Sequence, residues 1–357
     1  MPQETSMIRF ASAALTRMAL AWGSVAALAC AALAMPAPAA AADNLPVVRF
    51  QDYPGSGNLQ IRVARTKGWC QAAGIVCELK PIPAAPLGLQ ALIGGSIDVA
   101  QTPIEVVAAA VARGGKLKTV VGSAVTNIFQ IDAANTLKLP HEKEGYPAVM
   151  QDFKGQKVGV VSRGSATEAF FRFLMQQAGQ DPDSVTYVAV GAPMTAFAAV
   201  RAGQVPVAVS WEPLGTMCDL TQMCRVVFRG ATAEQPALLT QMYGAGTGLV
   251  MTDEEIAAHP EIAHAVVKIS QQAAAFINDR ANEAEVLKIS AAYSAFDIPH
   301  GDEIAKRTLD LGLETNTFEP IVKRSAVAAT LQYLKDTGQL TKLPAVDDIV
   351  WKDAPDK

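Results

Sequence analysis

The chain has 357 residues, half of them apolar, and a formal net charge of −4. This length is enough for two ordinary domains or one large one with a real hydrophobic core, which excludes an intrinsically disordered chain. The slight acidic excess argues against a nucleic-acid partner.

The first 42 residues have the pattern of a secretory signal peptide. Arg9 and Arg17 precede the apolar run ALAWGSVAALACAALAM, and the small residues of PAPAAAADN follow. We expect signal peptidase to cleave after Ala42 and the mature protein to lie in the periplasm. A lipoprotein anchored through Cys30 is disfavoured because alanine stands where a lipobox prefers leucine. A membrane anchor is disfavoured because no later stretch approaches roughly 18 unbroken apolar residues.

Four cysteines follow the predicted signal peptide, in two pairs that are close in sequence. An even number of cysteines in an exported chain favours two local disulfides. Metal binding is disfavoured because the gaps within the pairs do not match the spacing of zinc sites, and the histidines are distant in sequence. The predicted disulfides are Cys70–Cys77 and Cys218–Cys224, and the histidines are His141, His259, His264 and His300.

Strands and helices alternate from Val47 onward. The expected strands end in polar or glycine-containing turns, and the expected helices have apolar residues at helical spacing. In order, the strands are VVRFQD, GIVCELKPI, SIDVA and LKTVVGSA, and the helices are Leu59 to Gly68, PLGLQALI and Ile104 to Arg113. This alternation predicts an α/β fold with a parallel, doubly wound sheet.

A polar stretch, residues 136 to 153, separates this unit from a second one of the same kind. The strands expected there are KVGVV, VTYVAV and VPVAVSW, with helices that end near Ala178 and Ala202. GTGLVM then predicts a further strand, and Thr252 with Glu255 predicts the cap of a helical run. The two units predict a bilobed protein.

Candidate ligand-binding residues stand at the carboxyl ends of the expected strands, where open α/β sheets bind ligands. Nearly all are small, polar or aromatic, and two of them, Ala192 and Met194, are expected to shape the cleft. In the first unit the candidates are Tyr53, Ser56, Gly57, Asn58, Gln101, Thr102, Ser123 and Asn127. In the second they are Arg163, Gly164, Ser165, Ala166, Thr167, Ala192, Met194, Trp211 and Glu212.

Some of these side chains have two open interpretations. Tyr53 and Trp211 would sandwich a flat ligand in a closed cleft, or they are ordinary rim packing. Arg163 binds a carboxylate, sulfonate or nitrate through two parallel hydrogen bonds of its guanidinium. Alternatively, it is a surface arginine or part of a salt bridge. Glu212 accepts a hydrogen bond from the ligand, or it pairs with Arg163.

The segment GVVSRGSATEAF, residues 159–170, predicts a strand, a polar turn and the start of a helix. Free amide groups and the helix dipole at such a start attract an anion. Ser165 and Glu168 also have the S-x-x-E spacing of a capping box, by which a helix satisfies its own first amides. The two roles are compatible if Ser165 caps one amide while Thr167 faces the cleft.

Five segments together carry a family resemblance. They are RVARTKGWCQAAGIVCEL, LIGGSIDVAQTP, FKGQKVGVVSRGSATEAFFRFLMQQAGQDPDSVTYVAVG, AAVRAGQVPVAVSWEP and HPEIAHAVVKISQQAAAFINDRANEAEV. In order and spacing they resemble the periplasmic substrate-binding proteins of ABC importers for nitrate, sulfonates, taurine and related molecules. The resemblance covers nearly all of the mature chain.

The resemblance implies a type II periplasmic-binding-protein fold, in which two α/β lobes close over a ligand. The implied crossovers lie near residues 129–134 and 243–250. Residues 43–132 and 245–357 would form lobe 1, and residues 133–244 lobe 2. It also implies a monomer without a cofactor that delivers its ligand to an ABC permease in the inner membrane.

The chain departs from the commoner family pattern in the insertion at 136–153 and in the two predicted disulfides. Cys218 and Cys224 closely follow the turn at Trp211 and Glu212. A disulfide between them would stiffen one rim of the cleft.

An enzyme is the rival class of function. The sequence has no G-x-S-x-G, no G-x-G-x-x-G that opens a helix and no plausible Cys/His dyad. Thiamine-pyrimidine synthases share a related fold, but their Cys/His iron site has no counterpart here; a sensor domain would share the fold as well. The expected ligand is a small organic anion, an aromatic carboxylate or a sulfonate, and the alternative is a neutral or cationic heterocycle such as a vitamin precursor.

Overall fold

The computed structural model describes residues 45–53, 56–293 and 300–357. The predicted signal peptide and Cys30 lie outside the described residues, so cleavage after Ala42 stays a prediction. Contacts group the described chain into one compact unit.

The first part of the chain alternates strands and helices as the sequence predicts. Its elements are β1 (Val47–Asp52), α1 (Leu59–Thr66), α2 (Trp69–Ala72), β2 (Val76–Pro81), α3 (Ala85–Ile93), β3 (Ala100–Pro103), α4 (Ile104–Ala112) and β4 (Leu117–Ala124). The expected strand SIDVA is displaced, because the amides of Ser96 and Ile97 still bond the carbonyl of Ala91 at the end of α3. Gln101 and Thr102 therefore lie inside β3 rather than after it.

The middle part contains a second strand–helix series. Its elements are β5 (Gln130–Ala134), β6 (Lys157–Val160), α5 (Ala166–Gln177), β7 (Thr186–Ala189), α6 (Pro193–Arg201), β8 (Val207–Ser210), α7 (Leu214–Thr221), β9 (Cys224–Arg229) and α8 (Ala237–Gln241). The sequence analysis missed β9. The segment 136–153 holds two short 3-10 helices, and its residues Val149, Met150 and Phe153 are fully buried, so apolar side chains anchor this mostly polar insertion.

The last part returns to the first strands and ends in helices. Its elements are β10 (Thr247–Thr252), α9 (Asp253–Ala258), α10 (Pro260–Asn278), α11 (Glu283–Tyr293), α12 (Gly301–Glu314), α13 (Arg324–Asp336) and α14 (Val346–Ile349). Thr252 caps α9 as predicted, because its hydroxyl accepts the amide of Glu255 at 3.1 Å.

The strands form two separate groups. In the first group β1 pairs in parallel with β2, a single bridge joins Phe50 of β1 to Val99, and β10 lies between β3 and β4. The second group is one sheet of order β7-β6-β8-β5-β9. Each group contains one strand that is antiparallel to its neighbours, β10 in the first and β5 in the second, so the sheets are mixed rather than parallel throughout. These are the strands through which the chain enters one group from the other.

The chain passes between the groups through residues 125–129 and returns through residues 230–246. This arrangement of two α/β groups joined by two connections is the predicted fold class. The lobe boundaries after residues 132 and 244 stay predictions.

Helix α10 shows how the apolar spacing of the sequence builds the first group. Ile262, Val266, Ile269, Ala273 and Ile277 recur at three- and four-residue intervals, and all are buried. This stripe packs on α1 and β4, and each large side chain contributes about 1.5–3 kcal/mol on burial.

A segment after α12 crosses β4 at very close range. A Cβ atom at Gly122 of β4 would lie 2.0 Å from the carbonyl oxygen of Ile321, so only glycine permits this crossing. The crossing brings residues 315–318 to the carboxyl end of β4.

Both predicted disulfides are confirmed. Cys70–Cys77 joins α2 to β2, and Cys218–Cys224 joins α7 to the start of β9. Among the described residues, no helix combines the length and apolarity that a membrane span requires.

Candidate functional site

A cavity of about 50 Å³ lies between the two groups of strands. Gly57 and Ser123 bound it on the side of the first group, and Trp211, Glu212 and Arg229 bound it on the side of the second. Helix α12 and the segment after it form the remaining wall, with Thr308, Leu311, Gly312, Thr315, Thr317 and Phe318. A cavity of this size holds a few water molecules.

Two predicted aromatic residues meet beside the cavity. The ring centroids of Tyr53 and Trp211 lie 5.4 Å apart at an angle of 62°, so the rings touch edge to face and leave no gap between them. The Tyr53 hydroxyl accepts the amide of Ala85 at 3.2 Å. Burial raises the pKa of Tyr53 to about 12, so this hydroxyl stays protonated at neutral pH.

Glu212 forms an ion pair, but not with Arg163. Arg229 at the end of β9 donates to one carboxylate oxygen of Glu212 and, at 2.8 Å, to Gln130 Oε1. The other oxygen of Glu212 accepts the amide of Thr216 at 3.0 Å. The reason is the antiparallel pairing of β5 with β9, which sets Gln130 opposite Arg229.

Further acidic groups surround Arg229. The carboxylate of Asp132 is fully buried and accepts Gln130 Nε2 at 3.0 and 3.2 Å. Burial, and then the negative charge of Glu212, raise the pKa of Asp132 well above its usual value. Burial also raises the pKa of Asp219. The cavity itself is lined by one acidic and one basic side chain, Glu212 and Arg229, and Asp132 is buried close to them.

Two buried amide side chains leave unpaired acceptors near the same cavity. Gln101 Nε2 donates to the carbonyl of Gly57 at 2.5 Å and to Ser123 Oγ at 3.2 Å, and Asn58 Nδ2 donates to the carbonyl of Gln51. These contacts fix which end of each amide is the nitrogen. Among the described residues, Gln101 Oε1 and Asn58 Oδ1 then have no hydrogen-bond partner although both are buried. Such an acceptor costs about 1–3 kcal/mol, and Gln101 lies against Gly57 and Ser123 of the cavity wall.

Arg163 lies on the surface. Its Nε and Nη2 atoms donate to the carboxylate of Glu168 at 2.9 and 3.0 Å, and its side chain is 64% exposed. Its guanidinium also lies 5.6 Å from the ring centroid of Tyr187. In the structure, Arg163 therefore forms a salt bridge on the surface and does not reach the cavity.

The predicted capping box does not form at the start of α5. The Ser165 side chain caps no amide, and its hydroxyl instead lies 2.9 Å from the hydroxyl of Thr167. Glu168 accepts the amide of Gly164 at 3.0 Å because the pair with Arg163 draws its carboxylate out of capping position. Thr167 Oγ1 accepts the amide of Val161 and joins the turn to β6.

The structure divides the predicted site residues between several places. Gly164, Ser165 and Ala166 line a separate groove of about 530 Å³, which α3, α4 and α13 complete. Other candidates lie outside both spaces. Asn127 accepts the amide of Phe129 in the connection between the groups; Thr102 is buried in β3; Ala192 is buried before α6, and Met194 is 40% exposed on α6. The side chain of Ser56 is outside the described part of the chain.

The sequence analysis missed Arg229, Gln130 and Asp132. The signal for Arg229 was the segment CRVVFR, a β-branched run that ends in a cation, which is typical of a strand. The contribution of α12 had no local signal, because it depends on the close crossing at Gly122.

Comparison with known proteins places the chain in a family. Residues 58–284 match the family model described as NMT1/THI5 like. Over 177 residues the chain is 29% identical to a Brucella abortus protein that is provisionally named a binding protein, and the match covers 49% of this chain and 50% of that protein. A Brucella suis protein matches equally. The chain therefore spans about half the length of the curated relatives it matches.

Solved structures with the same fold include two binding proteins. The alkanesulfonate-binding protein SsuA from Xanthomonas axonopodis, bound to MOPS, has a TM-score of 0.67 and 20% identity, and the match covers 87% of this chain and 99% of that one. The periplasmic nitrate-binding protein NrtA from Synechocystis has a TM-score of 0.59 and 12% identity, with 87% and 92% covered. The chain belongs to the NMT1/THI5-like family and has the periplasmic-binding-protein fold.

Proposed function

We propose that the protein is the solute-binding component of an ABC importer. It binds a small molecule between its two groups of strands and delivers it to a permease in the inner membrane, as a monomer without a cofactor and with the lobes bounded near residues 132 and 244. The family, the fold and the binding functions named for the similar structures support this proposal. The predicted signal peptide supports a periplasmic location.

The ligand is a neutral or cationic heterocycle that carries N–H donors. The observation that carries this choice is the pair of unpartnered buried acceptors, Gln101 Oε1 and Asn58 Oδ1. On the opposite side, the Glu212 carboxylate is held by Arg229 and the amide of Thr216, so this wall presents a neutral ion pair rather than a free cation. Donor groups on a ligand satisfy acceptors that a simple anion would leave unpaired.

A sulfonate or aromatic carboxylate, the first expectation from sequence, loses its main support. That expectation depended on Arg163. Two of its guanidinium nitrogens donate to Glu168, and its side chain is mostly exposed. The cation at the cavity, Arg229, is already paired with Glu212. An anion would therefore enter a wall whose single guanidinium is neutralised.

Ligand entry requires Tyr53 and Trp211 to move apart. The cavity of about 50 Å³ is smaller than a heterocycle, and the two rings close it where the groups of strands meet. A flat ligand between the rings would restore the predicted sandwich, with each ring stacked on one of its faces. Opening and closing of the lobes supplies this movement.

A thermal-shift screen tests the proposal. The panel contains aminopyrimidines, aromatic carboxylates and sulfonates, because a bound ligand stabilises the protein by RT ln(1 + [L]/Kd). We expect stabilisation by an aminopyrimidine and a change in Trp211 fluorescence that is absent in Trp211→Phe. Gln101→Met, which removes the acceptor at similar volume, should weaken binding about tenfold or more. Arg163→Ala is the matched control and should leave affinity unchanged.

Different outcomes contradict the proposed ligand class and the proposed binding function. Stabilisation only by anions would contradict the heterocycle and keep the binding protein. Turnover of a heterocycle without stable binding would instead favour the enzyme class, whose Cys/His iron site has no free cysteine in the described chain, since all four cysteines there are in disulfides.

A further inference from the structure

The groove of about 530 Å³ is separate from the cavity and lies between α3, α4, α13 and the start of α5. Its walls are largely apolar and include Leu89, Val106 and Ala109. Ile93 at its edge is 62% exposed. The volume falls within the range of about 300–1,000 Å³ that is usual for small-molecule sites.

Glu105 lines this groove, and one of its carboxyl oxygens has no hydrogen-bond partner among the described residues. It stands in the first turn of α4 and is only 7% exposed, and its Oε2 atom is buried without a hydrogen bond. Burial raises the pKa of Glu105 to about 7, and its own backbone amide is the group that opposes the shift. The Tyr333 hydroxyl of α13, a neutral neighbour, is engaged by Gln339 Nε2 at 3.4 Å. Arg113 lines the groove two turns further along α4 and forms no ion pair within the described chain.

The start of α5 faces the same groove. Gly164, Ser165 and Ala166 all line the groove, and α5 is 12 residues long. Ser165 does not cap the helix, and Glu168 is held by Arg163 and Gly164. The amides of Gly164 and Ser165 are engaged by Glu168 and by the carbonyl of Ser162. The Ala166 amide and the positive end of the helix dipole are left to face an anionic group in the groove.

Glu105 and the start of α5 favour opposite charges on a ligand. A cation alone would satisfy Glu105 but lie near the positive end of α5, and an anion alone would satisfy α5 but lie near the carboxylate of Glu105. A molecule with both charges satisfies both, and the apolar walls accommodate an aliphatic body.

We propose that the groove is a second ligand site, which binds a small zwitterion with an aliphatic body, of the class of the unmodified aliphatic amino acids. The ammonium group donates to Glu105, the carboxylate accepts from the first amide of α5, and the side chain packs on Leu89, Val106 and Ala109. The site does not depend on the heterocycle proposed for the cavity.

Calorimetric titration of the purified protein with L-leucine tests the site. We expect saturable binding at millimolar concentration. Isocaproate lacks the ammonium group and isoamylamine lacks the carboxylate, and each should bind about tenfold more weakly, because each loses one charge-assisted hydrogen-bonding group.

Variants locate the binding. Glu105→Gln should weaken L-leucine binding about tenfold, and Ala109→Phe, which fills the groove from a partly exposed position, should abolish it. Glu254→Gln removes one charge from an exposed position on α9 and should have no effect.

Three results would overturn the proposal: no saturable binding of L-leucine, equal binding by wild type and Glu105→Gln, or equal binding of the two analogues and L-leucine. Gln101→Met separates the groove from the cavity. If that substitution abolishes L-leucine binding, the amino acid lies in the cavity and the groove is not a second site.

Discussion

Arg163 and Arg229 lie in two regions that look alike in sequence, yet only one of them reaches the cavity. Both arginines belong to the second sheet and its turns, and both pair with a glutamate. The side chain of Arg163 is 64% exposed, whereas that of Arg229 is 18% exposed and bonds Gln130 and Glu212 close to the buried Asp132. The burial and the partners of an arginine therefore depend on how its strand pairs within the sheet, which the neighbouring sequence does not show.

Alanine substitution of each arginine is the strongest test of this difference in burial. Arg229→Ala leaves Glu212 without its cation in a largely buried setting, and we expect it to lower the free energy of unfolding by about 3–5 kcal/mol. Arg163→Ala removes an exposed pair and should cost at most about 1 kcal/mol. Urea unfolding of both variants at neutral pH measures the difference, and equal losses would contradict the contrast.

Glu105 gives a third case, because this buried carboxyl forms no ion pair within the described chain although Arg113 lines the same groove. Its folded-state pKa is about 7 against an ordinary 4.5, so the fold favours the neutral carboxyl. The stability from this preference is complete below pH 4.5 and is lost as pH rises through about 7. At about 1.4 kcal/mol per pKa unit, Glu105→Gln should be about 3 kcal/mol more stable than wild type near pH 8.

Near pH 5 the advantage of Glu105→Gln should be small. Burial raises the pKa of Tyr333, the titratable neighbour of Glu105 on α13, so its hydroxyl stays neutral across this range. Urea unfolding at the two pH values gives the result, and a pH-independent difference would show that the carboxyl does not titrate as expected.

Removal of each disulfide tests whether Cys218–Cys224 fixes the position of β9 and of Arg229 at its end. Each closes a short loop, with sequence separations of 7 and 6, so removal of either pair should cost about 2 kcal/mol. Cys218→Ser with Cys224→Ser frees the start of β9, the strand that ends at Arg229, and should also weaken heterocycle binding. Cys70→Ser with Cys77→Ser is the control and should leave affinity unchanged. Equal affinities for both double variants would remove any role of the rim disulfide in binding.

Helix capping gives the smallest expected effect. Thr252 caps α9, so Thr252→Ala should lower stability by about 1 kcal/mol. Ser165 loses only a hydroxyl contact to Thr167, so Ser165→Ala should cost about 0.5 kcal/mol. Thermal unfolding compares them, and a larger loss for Ser165→Ala would restore the capping role that its spacing predicts.

Much of the fold was readable because its signals are local. Apolar residues at helical and strand spacing gave the alternating elements, the two α/β groups and the cap at Thr252. Both disulfides followed from cysteines close in sequence. The antiparallel direction of β5 and β10 was missed because it follows from where the chain crosses between the groups, and no local pattern encodes a crossing.

The candidate site was readable only in part, for the same reason. Residue type at strand ends located Gly57, Ser123, Trp211 and Glu212 at the cavity. The partner of Glu212 depends on the pairing of β5 with β9, and the burial of Glu105 depends on α3 and α13 packing around α4. Contacts between distant segments cannot be inferred from one sequence read in order.

The position of β10 between β3 and β4 has a consequence for biosynthesis. Those two strands do not pair with each other, so the first group stays incomplete until the ribosome has made residues 247–252. All five strands of the second sheet, in contrast, come from the continuous stretch 130–229. Because contacts close in sequence form faster, the later-made half of the chain is expected to acquire its sheet before the earlier-made half completes its own.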